Sequence, residues 1–217
     1  MGRAAEDAVA EGKGAEIMKR RGVTRQWRDV LGALAIGLLA GPLAAAVEVY
    51  QIDPVHSSLA FAVRRMMVTL PGSFPKIEGT VTVDRDDWEK CAVEVRVDVG
   101  SLSTHHGERD DHLRGEEFFH VALFPQAVFK STRWKKTGDA TYAVTGNLTI
   151  KNVTKEITLT VRSNGFAATR RKGMWMSGWE ATGSLKRSEF GIGAYPQMIG
   201  DEVELRIAVE ALMKKPE

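Results

Sequence analysis

A single cysteine, Cys91, in 217 residues leaves no partner for an internal disulfide, so any folded domain here must be held by its core. A nucleophile would need a base placed against it to lower its pKa, and the sequence alone supplies no such partner, so the simplest reading of Cys91 is a small buried side chain. The chain also lacks His-Glu-x-x-His, Cys-x-x-Cys and Gly-x-Ser-x-Gly. Those absences remove the helical zinc site, the thiolate clamp and the hydrolase elbow from the candidate chemistries. There is no repeat at a period of roughly 20–50 residues, which excludes solenoids and propellers. No Pro/Ser-rich linker divides the chain after residue 46. Aromatics are few, at 7%.

Charge of one sign is missing too, once the ends are separated. The first 46 residues carry seven of the 30 Lys and Arg and five of the 28 Asp and Glu, leaving 23 of each beyond them. A net charge of zero argues against a nucleic-acid partner. The one short basic run, Arg170-Arg171-Lys172, reads as a solvated hairpin tip.

Only one long apolar run is present. Val30 to Val47 is free of charge apart from Asp29 just ahead of it, follows Lys19, Arg20, Arg21, Arg25 and Arg28, and ends in Ala44-Ala45-Ala46. Basic head, apolar middle and small-residue site are the parts of a secretory signal. A retained anchor is the alternative, but Gly32, Gly37, Gly41 and Pro42 weaken it as a span. The expectation is export from a start at Met1 or Met18, with cleavage after Ala46. Residues 1–46 are then extension and signal, residues 47–217 form one domain, and the location is periplasmic or secreted.

Beyond residue 46 the chain alternates. Ile77, Gly79, Val81 and Val83 alternate with Glu78, Thr80 and Thr82; Val93, Val95, Val97 and Val99 alternate with Glu94, Arg96 and Asp98. Such alternation marks strands with one dry and one wet face. Similar stretches run over 47–52, 57–63, 127–134, 142–151, 156–163, 175–185 and 202–211. Pro54 puts a corner after the first of these. Lys151-Asn152 reads as a hairpin turn with Asn152 near its tip. One charged segment, Gly107–Arg114, reads as a helix, with Ser103 or Thr104 at its start and Gly115 at its end. Leu113, Phe118 and Phe119 give it an apolar edge. About eight strands that close on themselves leave an interior that side chains fill or that holds one small ligand. The inward candidates are of medium size: Phe61, Val81, Val83, Val95, Val97, Leu148, Ile150, Leu159, Val161, Leu205 and Ile207. Gly146 and Gly183 add space, which favours a cavity.

The order of motifs resembles the YceI family of periplasmic, lipocalin-like proteins. The matching residues are Ile52-Asp53-Pro54 with His56-Ser57, Phe61-Ala62-Val63-Arg64 and Gly79-Thr80-Val81. Next come Arg109-Asp110-Asp111-His112-Leu113-Arg114, Phe118-Phe119 and Phe124-Pro125. Gly146-Asn147-Leu148-Thr149-Ile150 and Val153-Thr154-Lys155 leading into Ile157-Thr158-Leu159 complete the series, over about the last three-quarters of the chain. The resemblance implies an all-β fold, an eight-stranded antiparallel lipocalin-like barrel with a short helical insert. It also implies a long apolar ligand, a polyisoprenoid or an isoprenoid quinone, in a barrel tunnel lined by the inward candidates. No cofactor and no metal are expected. Members commonly have a His where this chain has Arg65, so a neutral polar contact becomes a permanent cation.

Four polar residues are candidate contacts at the mouth: His56, Arg65, Arg109 and His112. The mixed charges of Glu108–Arg114 suggest a network that holds the insert on the barrel. His105, His106, Glu108, Asp110, Asp111 and His112 lie close in sequence, yet salt bridges and capping explain them as well as a metal does. Two other readings stay open. One is a lipid-modifying enzyme using His56 or His112; the other is a plugged barrel acting as a stress-related interaction module. Expected partners are the long-chain isoprenoid or another apolar lipid, with transient membrane contact and a homodimer as further readings.

Overall fold

The computed structural model of the chain describes residues 47–214. The expected signal and its cleavage point lie outside the described residues. Within them the elements are β1 (Glu48–Ile52), β2 (Ser58–Arg65), β3 (Val68–Phe74), β4 (Ile77–Val83), β5 (Ala92–Asp98), α1 (Gly107–Arg114), β6 (Gln126–Gly138), β7 (Thr141–Ile150), β8 (Val153–Ala168), β9 (Met174–Lys186) and β10 (Ile199–Lys214). All strand pairings are antiparallel.

The strands form a closed eight-stranded barrel. Its ring runs β1-β4-β5-β6-β7-β8-β9-β10 and returns through a β10–β1 pairing at Gln51–Leu212 and Ile52–Ala211. β2 and β3 are not extra staves. β2 continues β1 beyond the Asp53-Pro54 corner and pairs with the first half of β10 (Ile199 to Ala208). β3 continues β4 backwards and pairs with β2 along its whole length. The β3 segment was not legible as a strand, because Pro71 and Gly72 interrupt its alternation. Pro71 is tolerated because β3 has β2 on one side and only a single bridge, Ser73–Ser103, on the other.

The expected faces hold. Val93, Val95 and Val97 point inward, while Glu94 and Arg96 pair outside and Glu94 also meets Lys130 at 3.2 Å. Tyr142, Val144, Leu159, Val161 and Trp179 join the same buried core. A bulge between Ser131 and Arg133 on β6 shifts the alternation, so that Trp134 turns inward. The Ser131 hydroxyl takes up the Val93 amide (2.9 Å) and the Trp134 indole N–H (3.3 Å) at that break. Gly79 has φ of +151°, and a Cβ there would lie 2.0 Å from the Glu94 carbonyl oxygen, so only glycine lets β4 and β5 approach there. Gly146 and Gly183, by contrast, add no empty space. The Phe129 ring fills the position over the first and Leu159 over the second.

One end of the barrel is closed by a cluster of aromatic residues. Trp88, Trp134, Tyr142, Phe166 and Trp179 pack ring against ring at 4.7–6.4 Å, and Tyr50 joins through Phe166 at 5.8 Å. Arg85 lies 4.0 Å over Phe166. This cluster stops the barrel at the end carrying the β4–β5, β6–β7 and β8–β9 connections. The opposite end carries β2–β3, the helical insert, β7–β8 and β9–β10. Cys91 is buried just before β5 with its thiol directed at the Asp84 carbonyl, and burial pushes its pKa up. No helix among the described residues is long and apolar enough to cross a membrane.

Candidate functional site: an apolar cavity with a roofed mouth

A cavity of about 840 Å³ opens at the end opposite the aromatic cluster, within the size range of small-molecule sites. A second, narrower space of about 110 Å³ lies deeper, between it and the tryptophans. Leu59, Val97, Ala127, Leu148 and Leu205 line both, so the two are levels of one interior.

The expected wall residues divide between the levels. Phe61 and Ile150 line the wide mouth, while Val81, Val95, Leu159, Val161 and Ile207 line the deep part. Val97, Leu148 and Leu205 lie at the junction. Val83 faces neither level; it is fully buried near the aromatic end. Its alternation was read correctly, but its height along the barrel was not legible.

Of the four polar candidates, Arg65, Arg109 and His112 stand at the cavity and His56 does not. His56 is exposed at the corner after β1, with Nδ1 2.8 Å from Asp53 Oδ2. The two raise and lower each other's pKa through that contact. Arg65 lines the mouth with no hydrogen bond or ion pair from its side chain to any described residue.

Arg109 belongs to a network, but its hub is Thr104. Asp110 Oδ1 accepts from the Thr104 amide (2.8 Å) and hydroxyl (2.5 Å), while Arg109 donates to the Thr104 hydroxyl (2.7 Å) and carbonyl (2.8 Å). Arg114 reaches the carbonyls of Gly100 and Leu102 and pairs with Asp111, not Asp110. Burial opposes charge on Asp110, but the Thr104 hydrogen bonds, Arg114 and Arg109 outweigh it and hold the carboxyl below its usual range. Together these bonds tie α1 to the Gly100–Thr104 segment, whose Ser103 bridges Ser73 of β3. The helix starts differently from expectation. His106 is its cap, accepting the Arg109 amide at 3.4 Å, because Thr104 is spent on Asp110. Gly115 does end it, with an ordinary φ of −69° instead of the left-handed one.

The mouth is roofed from two sides. The insert supplies Leu113, Phe118 and Phe119, and Phe119 stands edge-on to Phe74, which in turn meets Phe61. The β9–β10 connection supplies Phe190, Ile192, Tyr195 and Met198. The two meet where Glu117 lies 2.7 Å from His112 Nε2 and accepts from the Tyr195 hydroxyl at 3.2 Å. Phe118 stacks on Tyr195 at 6.1 Å. The His112 and Tyr195 contacts lower the Glu117 pKa.

Arg187, unremarked in the sequence, organises the second half of the roof. It is 6% exposed and donates to the carbonyls of Ile192, Ala194, Ile199 and Gly200 at 2.6–2.9 Å. Burial lowers its pKa, and the four carbonyls replace the water it loses. Nothing local marks it, since its partners are backbone atoms brought round by the turn.

Among the described residues no buried side-chain nitrogen or oxygen lacks a partner. The interior therefore makes no fixed polar demand on an occupant, and shape and apolar area govern the fit. A closed barrel, blind at an aromatic floor and roofed by a helix and a loop, defines the class of small ligand-holding β-barrels. Residues 50–211 match the YceI-like domain, and the chain belongs to that family. It is 38% identical over 192 residues to a UPF0312 protein of Yersinia pestis (strain Pestoides F), covering 87% of this chain and 98% of the relative. Among solved structures, BcnA of Burkholderia cenocepacia superposes with a TM-score of 0.65 at 24% identity, covering 74% of this chain and 99% of BcnA. A polyisoprenoid binding domain from Saccharophagus degradans superposes with a TM-score of 0.59 at 15% identity, covering 77% and 98%.

Proposed function

We propose that the protein is an exported carrier that holds a long apolar chain, a polyisoprenoid or isoprenoid quinone, in its barrel and shields it from water. The observation that carries this reading is the two-level interior of about 840 and 110 Å³, walled mainly by aliphatic and aromatic side chains, with its charged residues at the mouth, and blind at its floor. Each buried methylene is worth about 0.8 kcal/mol before ordering costs. The polyisoprenoid-binding neighbour shares the fold and supports this ligand class. Export rests on the basic head, apolar run and Ala44-Ala45-Ala46. The match to the Yersinia relative spans 87% of the chain, more than residues 47–217 make up, so it takes in part of that leader.

The enzyme reading gains nothing from the geometry. His56 stands outside the cavity, and His112 is engaged by Glu117. A plugged barrel does not fit a space of this volume. The test is organic-solvent extraction of the protein purified from its exported pool, with mass spectrometry of the extract and uptake of an added polyprenol by the emptied barrel. An isoprenoid in the extract, or saturable one-to-one uptake, is expected. The absence of both would overturn the proposal.

A further inference from the structure

The β2–β3 hairpin ends in two methionines exposed to solvent. Met66 is 60% and Met67 88% exposed, and Val68 beside them is 55% exposed. The turn is an unfavourable one for Met66. Met66 sits at φ of +51°, the left-handed region where glycine or asparagine is usual. The β7–β8 hairpin makes the same backbone compromise at Lys151, with φ of +55°. There the side chain is used: Lys151 Nζ reaches the Gly191 carbonyl at 3.5 Å and lies 6.0 Å from the Phe124 ring. Neither methionine is in the buried core, lines the cavity or packs in the roof. Their folded-state surroundings therefore do not account for two apolar side chains on a strained tip.

The tip is continuous with the mouth. The Met66 amide donates to the Met198 carbonyl at 2.9 Å, and the Met198 amide to the Tyr195 carbonyl at 3.0 Å. Tyr195 and Met198 are 43% and 39% exposed and, like Val68, line the cavity. Two guanidiniums flank the tip on β2. Arg65 faces the cavity, Arg64 is its strand neighbour, and neither side chain has a partner among the described residues. The nearby carboxylates of Glu117 and Asp201 are already engaged, by His112 and Tyr195 and by Ser188.

We propose that this rim docks the barrel on a lipid bilayer containing anionic phospholipid, with the Met66-Met67 tip in the acyl boundary and Arg64 and Arg65 among the phosphates. A bilayer accepts two protruding flexible apolar side chains without a shaped pocket, and cations beside them match an anionic surface. A tyrosine at the same level suits the interface. Docked this way, the mouth faces the phase that holds apolar chains, so a ligand enters without crossing water. The proposal rests on the carrier reading above and names the surface that serves it.

Flotation with vesicles tests it, using residues 47–217 so that the apolar leader does not contribute. Those residues hold the whole closed ring, and the solved BcnA chain is covered to 99% by 74% of this one, so a chain of that extent folds alone. The vesicles are phosphatidylcholine with one third phosphatidylglycerol. The parent barrel should float with them, less at high salt, and Met66→Ser/Met67→Ser should cut the bound fraction by on the order of tenfold. The same variant should take up polyprenol from detergent solution as the parent does, because neither methionine lines the cavity. Failure of both proteins to take up polyprenol would sink the carrier reading instead. A parent that takes up polyprenol yet does not float overturns the docking proposal. So does a serine variant that floats equally well, or a parent dimer that the variant dissolves while vesicles recruit neither.

Discussion

Leu148 is one of the five wall residues that line both levels of the interior. Tryptophan in its place would project into open space at the junction instead of into a filled core. A filled site would lose about 1–3 kcal/mol on such overpacking. Leu148→Trp should therefore cost no more than about 1 kcal/mol, the lower end of that range. Uptake of polyprenol should fall by on the order of tenfold or more, since two or three methylenes lose their burial at about 0.8 kcal/mol each. Isothermal titration alongside thermal unfolding checks the pair. A large stability loss with normal uptake would mean the junction is packed. Leu148 was legible as inward from its alternation with Asn147 and Thr149. Its place at the neck was not, because height along a barrel depends on the stagger between strands.

The helical insert is the element whose seating depends on ionisation. Asp110 is 6% exposed and receives both Thr104 donors, with its carboxyl held below the usual range. A carboxylate depressed in the fold contributes stability above its ordinary pKa of about 3.9, and that contribution is lost as pH falls through the lower folded value. Glu117, also depressed, acts in the same direction at the roof contact. The insert should therefore loosen below about pH 4, while the ring of strands persists. Pepsin cleavage around Phe118-Phe119 should accelerate there. Asp110→Asn keeps an acceptor for Thr104 but not the charge, so it should cost on the order of 1 kcal/mol at neutral pH and flatten the acid dependence. Identical cleavage profiles for parent and variant would place the acid sensitivity elsewhere. The insert and its charge network could be read from sequence, since Glu108–Arg114 has few apolar residues and alternates in sign. The Thr104 hub could not, because its partners are a backbone turn and two side chains five and six positions on.

For the whole molecule, the barrel and the leader make separate statements. The ring closes entirely within residues 47–214, and the β10–β1 pairing leaves it no need of an earlier strand. Removal of residues 1–46 should thus leave stability intact. N-terminal sequencing of the exported protein should begin at Val47 or within a few residues. Recovery of a chain still carrying Val30–Leu43 would count against a cleaved signal and for a retained anchor.

Alternation, turn residues and the charged helical stretch determined by themselves that this chain is a run of strands with one insert, and which face is dry wherever the alternation is unbroken. These are local properties: a period of two is set by the pleat, and a corner by proline's missing amide. Tertiary structure alone decided the rest. It bent two staves, so that β2 and β3 extend the ring toward a mouth. It divided the aromatics between a floor at one end and the rim and roof of the mouth at the other. It also turned Arg187 into the core of a roof and moved His56 out of the site. Each of these depends on which distant residues arrive at the same height and side of the barrel, which the closure and stagger of the sheet decide and which no window of sequence contains.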